Sequence, residues 1–204
     1  MTIPRFYVPG PWTSDRITFP EKASHHAMRV LRMRNGDEAE VFDGEGRTAR
    51  GRTEFSSEGT VLIAESYPEH GRESPLFITL AQAFVSPDKM EWITEKAVEA
   101  GASRIVFFPA ARSVTKLSGD KLTKRLEKLR APAVSACEQC GRSRIPEIET
   151  FASAEAMLSG LNADARVILA PSSDPGLALG AARSVVFAVG PEGGFSEEEL
   201  TLAD

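Results

Sequence analysis

The chain has only two cysteines and three histidines in 204 residues, and both scarcities exclude chemistry. Two thiols, Cys137 and Cys140, cannot staple a secreted disulfide framework and fit a reducing compartment. Their C-x-x-C spacing is shared by zinc sites and redox dithiols, but a zinc ion needs two more ligands. His25, His26 and His70 all belong to the other half of the chain. A redox pair ordinarily precedes a helix, whereas this one ends one, so neither metal nor redox chemistry is expected. The G-x-S-x-G elbow of serine hydrolases is missing, as are the G-x-G-x-x-G fingerprint and the Walker lysine, which removes nicotinamide and nucleoside triphosphate readings. Long apolar runs are missing too. The longest, Leu76 to Val85 and Val185 to Val189, fall short of the ~18 residues that cross a bilayer, and Met1 to Gly10 lacks the apolar core of a signal peptide. A cytoplasmic protein is expected, with neither membrane nor metal among its partners.

What is present is ordinary in bulk: 42% hydrophobic and 26% charged residues, a chain that folds by burial. Its net charge of -5 argues against a polyanionic partner only while the charge is averaged. Residues 112–144 carry nine Lys and Arg against three Asp and Glu, and residues 145–204 carry two against ten. The basic island holds Arg112, Lys116, Lys121, Lys124, Arg125, Lys128, Arg130, Arg142 and Arg144. Local positive potential of this kind faces phosphates, or else belongs to a solvated helix face.

The first 70 residues alternate as strands do, in Glu38 to Phe42 and Thr60 to Ile63, with turn signals at Asn35-Gly36-Asp37 and Asp43-Gly44-Glu45-Gly46. A small barrel is expected, interrupted by one helix at about Glu21 to Met33, where Ala27, Val30 and Leu31 share a face. Pro68 to Pro75 reads as a linker, dividing the chain into domains at 1–72 and 73–204. Beyond it strands alternate with helices, the pattern of an α/β domain with a largely parallel sheet. Strands are expected at Leu76 to Val85, Arg104 to Phe108, Arg166 to Ala170 and Ser184 to Val189. A helix starts at Ser86-Pro87-Asp88 and stops at Gly101, with Met90, Ile93, Ala97 and Ala100 on one face. The next, about Gly119 to Cys140, is amphipathic through Leu122, Leu126 and Leu129, and Pro132 is expected to kink or break it.

Gly190-Pro191-Glu192-Gly193-Gly194-Phe195 directly follows the last strand. It therefore occupies the carboxyl end of a sheet strand, where open α/β folds bind ligands. Its glycines let backbone amides approach a ligand closely, although strand-to-helix turns also use glycine structurally.

Taken jointly, the motifs resemble one family. Arg5-Phe6, His25-His26 with Val30-Leu31-Arg32, Gly36-Asp37, Asp43-Gly44, Lys89-Met90-Glu91 and Lys96 come first. Arg112-Ser113-Val114, Ala136-Cys137-Glu138-Gln139-Cys140-Gly141-Arg142 with Pro146, and Gly190-Pro191-Glu192-Gly193-Gly194 follow in order. Together they resemble the bacterial 16S ribosomal RNA (uracil-N3)-methyltransferases over essentially the whole chain. The resemblance implies a PUA-like RNA-binding barrel followed by a SPOUT α/β methyltransferase domain, with a trefoil knot in the full-length form and a homodimer as the active state. It implies S-adenosylmethionine as cofactor, with Leu169, Gly190, Pro191, Glu192, Gly193 and Gly194 as its binding residues. Small-subunit ribosomal RNA, within an assembled 30S particle, is the implied substrate. Uracil N3 is a weakly acidic imide, so a cation near the uracil oxygens suits Arg112 and Arg142, while Glu138 accepts the proton or orients an arginine. Arg5, Arg32, Lys121, Lys124 and Lys128 are the expected RNA contacts. After Ser196 and Glu199, which form a capping-box start, the family continues past the position of Asp204 with an L-G-x-R-x-L-R-x-E-T motif. A second domain incomplete at its C-terminus is therefore expected, and with it the alternative of a non-catalytic RNA-binding protein.

Overall fold

The structure, a computed structural model, describes residues 3–69, 72–170 and 179–203. His70, and the part of the expected linker at 70–71, lie outside the described residues. The chain forms two compact units, Met1–Glu73 with Cys137–Ile145, and Ser74–Ala136 with Pro146–Asp204.

The first unit is built on a five-stranded sheet of β1 (Arg5–Tyr7), β2 (Arg16–Thr18), β3 (Glu38–Phe42), β4 (Thr48–Ser56) and β5 (Gly59–Ser66), in the order β1-β3-β4-β5-β2. All its ladders are antiparallel except that of β1 with β3. Alternate residues of β4 and β5 point inward, and Phe6, Ile17, Phe19, Val41 and Leu62 close over Ala27. The register shifts at Arg50/Gly51, where a Cβ on Gly51 would meet the Ile63 carbonyl oxygen at 1.8 Å, so only glycine admits this approach.

The predicted helix at Glu21 to Met33 is two elements. α1 (Glu21–His25) runs into a π-turn at His26–Val30, closed by the Leu31 amide donating to the His26 carbonyl at 3.0 Å. Apolar spacing cannot distinguish the wider turn, which rotates the following residues: Val30 and Leu31, expected on the packed face, are 63% and 44% exposed.

The second unit contains an all-parallel sheet of β6 (Phe77–Ala83), β7 (Arg104–Phe108), β8 (Glu147–Thr150), β9 (Ala165–Leu169) and β10 (Ser184–Val189), in the order β8-β7-β6-β10-β9. β8 is an edge strand the sequence hid, because E-I-E-T reads as charged; Glu149 receives a forked Arg104 at 2.6 and 2.8 Å. α2 (Pro87–Glu99) has Ser86 and Pro87 where the sequence put them, but buries Thr94 and Val98 with Met90 and Ala97, leaving Ala100 exposed. α3 (Gly119–Cys140) passes through Pro132 without a break. Proline forfeits one hydrogen bond of the ladder, and burial of Leu129, Ala133, Ala136 and Cys137 on both sides of it holds the helix. α4 (Ala154–Gly160) is capped by Ser153, and α5 (Glu197–Thr201) carries the expected capping box of Ser196 and Glu199.

Candidate functional site

Strand order reverses between β6 and β10, because the chain winds from β6 to β8 on one side and returns on the other. Loops leaving the carboxyl ends of those two strands flank the crevice that such a switch creates. Gly190–Gly194 leaves β10 there. The Gly194 amide donates to the Pro191 carbonyl at 2.9 Å, and Gly194 has φ +71. A Cβ on Gly190 would stand 3.1 Å from the Gly194 carbonyl carbon and the Phe195 nitrogen, so the loop folds back on itself tightly enough that a side chain there would push its neighbours by a few tenths of an ångström.

Three contacts fix this loop within the second unit, and a fourth fixes the helix that follows it. Gln82, buried at the end of β6, donates to the Gly190 carbonyl at 3.1 Å. Arg112 donates to the Gly193 carbonyl at 3.0 Å. Lys89, in the first turn of α2, pairs with Glu192 at 2.7 Å and holds that carboxyl below the usual carboxylate range. The Ala111 amide donates to Glu199 at 2.8 Å, tying the loop after β7 to the capping box of α5. Glu192 and Gly193 remain exposed, as does Leu169 at the end of β9. Gln82 escaped the sequence reading, its one signal being a lone amide in an apolar strand, and so did the second service of Glu199, whose capping-box role was expected but whose contact with the Ala111 amide was not. A cavity of about 400 Å3, lined by Met157, Arg166, Ile168, Val186 and Leu200 among others, lies beside the same strands.

Glu138 and Arg142 have a different setting. Both lie in the segment that packs with the first unit. Arg142 is buried and forks onto Glu73 through Nε at 3.0 Å and Nη2 at 2.8 Å. The other Glu73 oxygen accepts the amides of Ser143 at 2.9 Å and Arg144 at 3.0 Å. Burial alone would raise the Glu73 pKa, but the Arg142 guanidinium and the two amides together lower it. Glu138 accepts the Tyr7 amide at 3.0 Å, and burial pushes its carboxyl up. Burial likewise pushes the Cys137 thiol up to about 12, which leaves it inert.

Arg5, expected at RNA, is inside the first unit. It pairs with Glu40 at 2.7 Å, donates to the Cys137 carbonyl and the Ser143 hydroxyl, and stacks over Phe42 at 5.1 Å. Arg32 and the three lysines of α3, Lys121, Lys124 and Lys128, are exposed. Of the three expected catalytic residues, Arg112 contacts the glycine loop within the second unit, and Glu138 and Arg142 belong to the first unit.

A family model described as an RNA methyltransferase domain matches residues 72–204, and one described as an RNA methyltransferase PUA domain matches residues 19–64. The chain belongs to this RNA methyltransferase family. It is 31% identical over 191 residues to a ribosomal RNA small subunit methyltransferase E of Bacillus subtilis, covering 86% of this chain and 73% of that one. The protein of the same name from Mycobacterium bovis is 33% identical over 187 residues, covering 86% and 70%. Among solved structures, a Legionella pneumophila methyltransferase in complex with its bound cofactor SAM superposes with a TM-score of 0.90 at 29% identity, covering 100% of this chain and 86% of that one. The ribosomal RNA small subunit methyltransferase E of Neisseria gonorrhoeae, bound to S-adenosyl methionine, gives 0.86 at 28%, covering 99% and 85%. An RNA methyltransferase of this family thus has its PUA-type sheet in the first unit and its parallel sheet in the second.

Proposed function

We propose that this chain transfers the methyl group of S-adenosylmethionine to N3 of a uridine in 16S ribosomal RNA. In this reading it works in the cytoplasm, as a homodimer, on an assembled 30S particle. The observation that carries the proposal is the exposed glycine loop at the carboxyl end of β10, latched by Arg112 at the strand-order switch, in a chain whose relatives are named for small-subunit ribosomal RNA.

The residues present fit the cofactor. Gly190 leaves its backbone uncovered by a side chain where the loop turns back tightly on itself, Gly193 is exposed, and Leu169 ends the strand paired beside β10. Backbone groups of Gly190, Pro191, Glu192, Gly193 and Gly194 would hold the cofactor with Leu169. Bound there, S-adenosylmethionine supplies an electrophilic methyl group on a sulfonium sulfur. The protein then has to align the acceptor nitrogen and ease the loss of its proton. Arg112 keeps further N–H donors beyond the one spent on Gly193, and these stabilise negative charge on the uracil oxygens as N3 is deprotonated. Arg142 and Glu138 act through the framework of the first unit, as positioning residues. Lys121, Lys124 and Lys128, spaced to share one face of α3, grip phosphates.

The test is to incubate the chain with isotopically labelled S-adenosylmethionine and 30S particles from cells lacking the endogenous enzyme, digest the RNA and separate the nucleosides. Label co-migrating with 3-methyluridine is expected. Label in another nucleoside, or none, would overturn the reading.

A further inference from the structure

The π-turn of the first unit leaves an unusual surface behind it. Met28, Val30 and Leu31 are 37%, 63% and 44% exposed, and Arg29, Arg32 and Arg34 alternate with them, all three exposed. Among the described residues no carboxylate pairs with any of these guanidiniums; Glu38, on the neighbouring strand, is occupied by Arg50 and Arg52. Arg32 sits at φ +55, a left-handed conformation that non-glycine residues adopt where the surroundings impose it.

Those surroundings are rigid. The Met33 amide donates to the Ala27 carbonyl at 3.0 Å, and the Gly36 amide to the Thr53 carbonyl at 2.8 Å. Asn35 accepts the Phe55 amide at 2.6 Å, and Asp37 accepts the Arg34 amide at 2.7 Å. Between the turn and β4 they leave a shallow cavity of about 390 Å3, lined by Met28, Arg29, Met33, Arg34, Asn35 and Phe55. Its lining joins two thioethers and a phenyl ring with two guanidiniums and an amide. A shallow pocket that sets thioether and phenyl surface beside arginines with no carboxylate partner among the described residues suits an unstacked nucleobase with its flanking phosphates on those arginines.

We propose that this pocket receives one splayed-out base of single-stranded RNA, with Met28, Met33 and Phe55 against the base and Arg29, Arg32 and Arg34 on the neighbouring phosphates. The inference rests on the RNA reading above and assigns a second RNA contact, separate in sequence from the lysines of α3.

The test uses the full chain and a fluorescein-labelled single-stranded RNA of about twelve nucleotides, intact or with one central abasic site, with anisotropy read across a salt series. The combined variant Arg29→Ala, Arg32→Ala and Arg34→Ala is expected to weaken binding at least tenfold. It should also reduce the slope of log affinity against log salt by about two, since each lost phosphate contact removes roughly 0.7. Met28→Ala is expected to weaken binding about fivefold with the slope unchanged, because stacking releases no counterions. On the unaltered chain the abasic strand should lose a similar factor, an arm that holds even where Met28→Ala perturbs folding. Unchanged affinity and slope in the arginine variant, with binding lost on Lys121→Glu, Lys124→Glu and Lys128→Glu together, would overturn the pocket and leave the RNA reading standing. Loss in the arginine variant alone, with neither Met28→Ala nor the abasic strand differing, would overturn the base contact. Failure of the unaltered chain to bind RNA at all would remove both.

Discussion

Two glycine-containing segments, Gly190–Gly194 and Cys137–Ile145, stand out equally in the sequence, and the protein treats them in opposite ways. The cation that contacts the first, Arg112, is exposed and spends one N–H on the Gly193 carbonyl. In the second, the cation Arg142 is buried and its guanidinium forks onto Glu73. An arginine with donors to spare can meet a substrate, whereas one already forked onto a carboxylate holds the fold. On the proposed reading, the state of the guanidinium, rather than sequence proximity to a motif, separates these roles.

The sharpest way to break this contrast is to truncate each arginine. Arg142→Ala leaves Glu73 charged and partly buried without its main partner, so a loss of about 3 kcal/mol of stability is expected. Chemical denaturation should show it, and a loss below about 1 kcal/mol would mean that the two amides alone satisfy Glu73. Arg112→Ala is expected to do the reverse: stability within about 0.5 kcal/mol of the parent, and methyl transfer slowed about a hundredfold, equivalent to about 2.7 kcal/mol of transition-state stabilisation. Equal rates in parent and variant would move Arg112 out of the reaction.

The sequence made one of these segments far more legible than the other. β10 is an apolar run ending at a glycine, and α5 begins with a serine and glutamate at capping-box spacing, so strand, loop and helix follow from neighbours in the chain. The clamp on Arg142 pairs residues 69 positions apart, and no local pattern predicts such a pairing. The same limit hid Arg5, whose partner Glu40 belongs to a strand it meets only after folding. The π-turn was hidden for another reason: His26–Val30 carries the apolar spacing of an α-helix, and the difference lies in one hydrogen bond.

Acid provides a smaller and more selective probe. The Glu73 pKa lies below its ordinary value of 4.5 in the folded protein, so the stability it contributes is present above that value and is lost as pH falls through the lowered one. Glu73→Gln should flatten the dependence of stability on pH below about 4.5. Glu192 is lowered as well, by Lys89, but the pair is on the surface, about half exposed on each side. Pairs of that kind add little, so Glu192→Gln should leave the acid limb where it was. A shift with Glu192→Gln comparable to that with Glu73→Gln would erase the distinction between the two segments.

The finest test is Glu138, the carboxylate of the buried segment. Burial raises its pKa, so the folded state favours the protonated form, and the carboxylate becomes a growing cost as pH climbs through the ordinary carboxylate range. Among the described residues it accepts the Tyr7 amide at 3.0 Å, which the oxygen of a glutamine can also do. Glu138→Gln therefore removes a charge the site disfavours while keeping the acceptor, and near neutral pH stability should be unchanged or higher, by less than about 1 kcal/mol. Methyl transfer should stay within about threefold of the parent, against the loss of roughly a hundredfold or more that removal of a general base brings. Should the rate collapse while the fold keeps its stability, Glu138 would join Arg112 in the chemistry, and burial of a charged group would no longer separate framework from reaction in this protein.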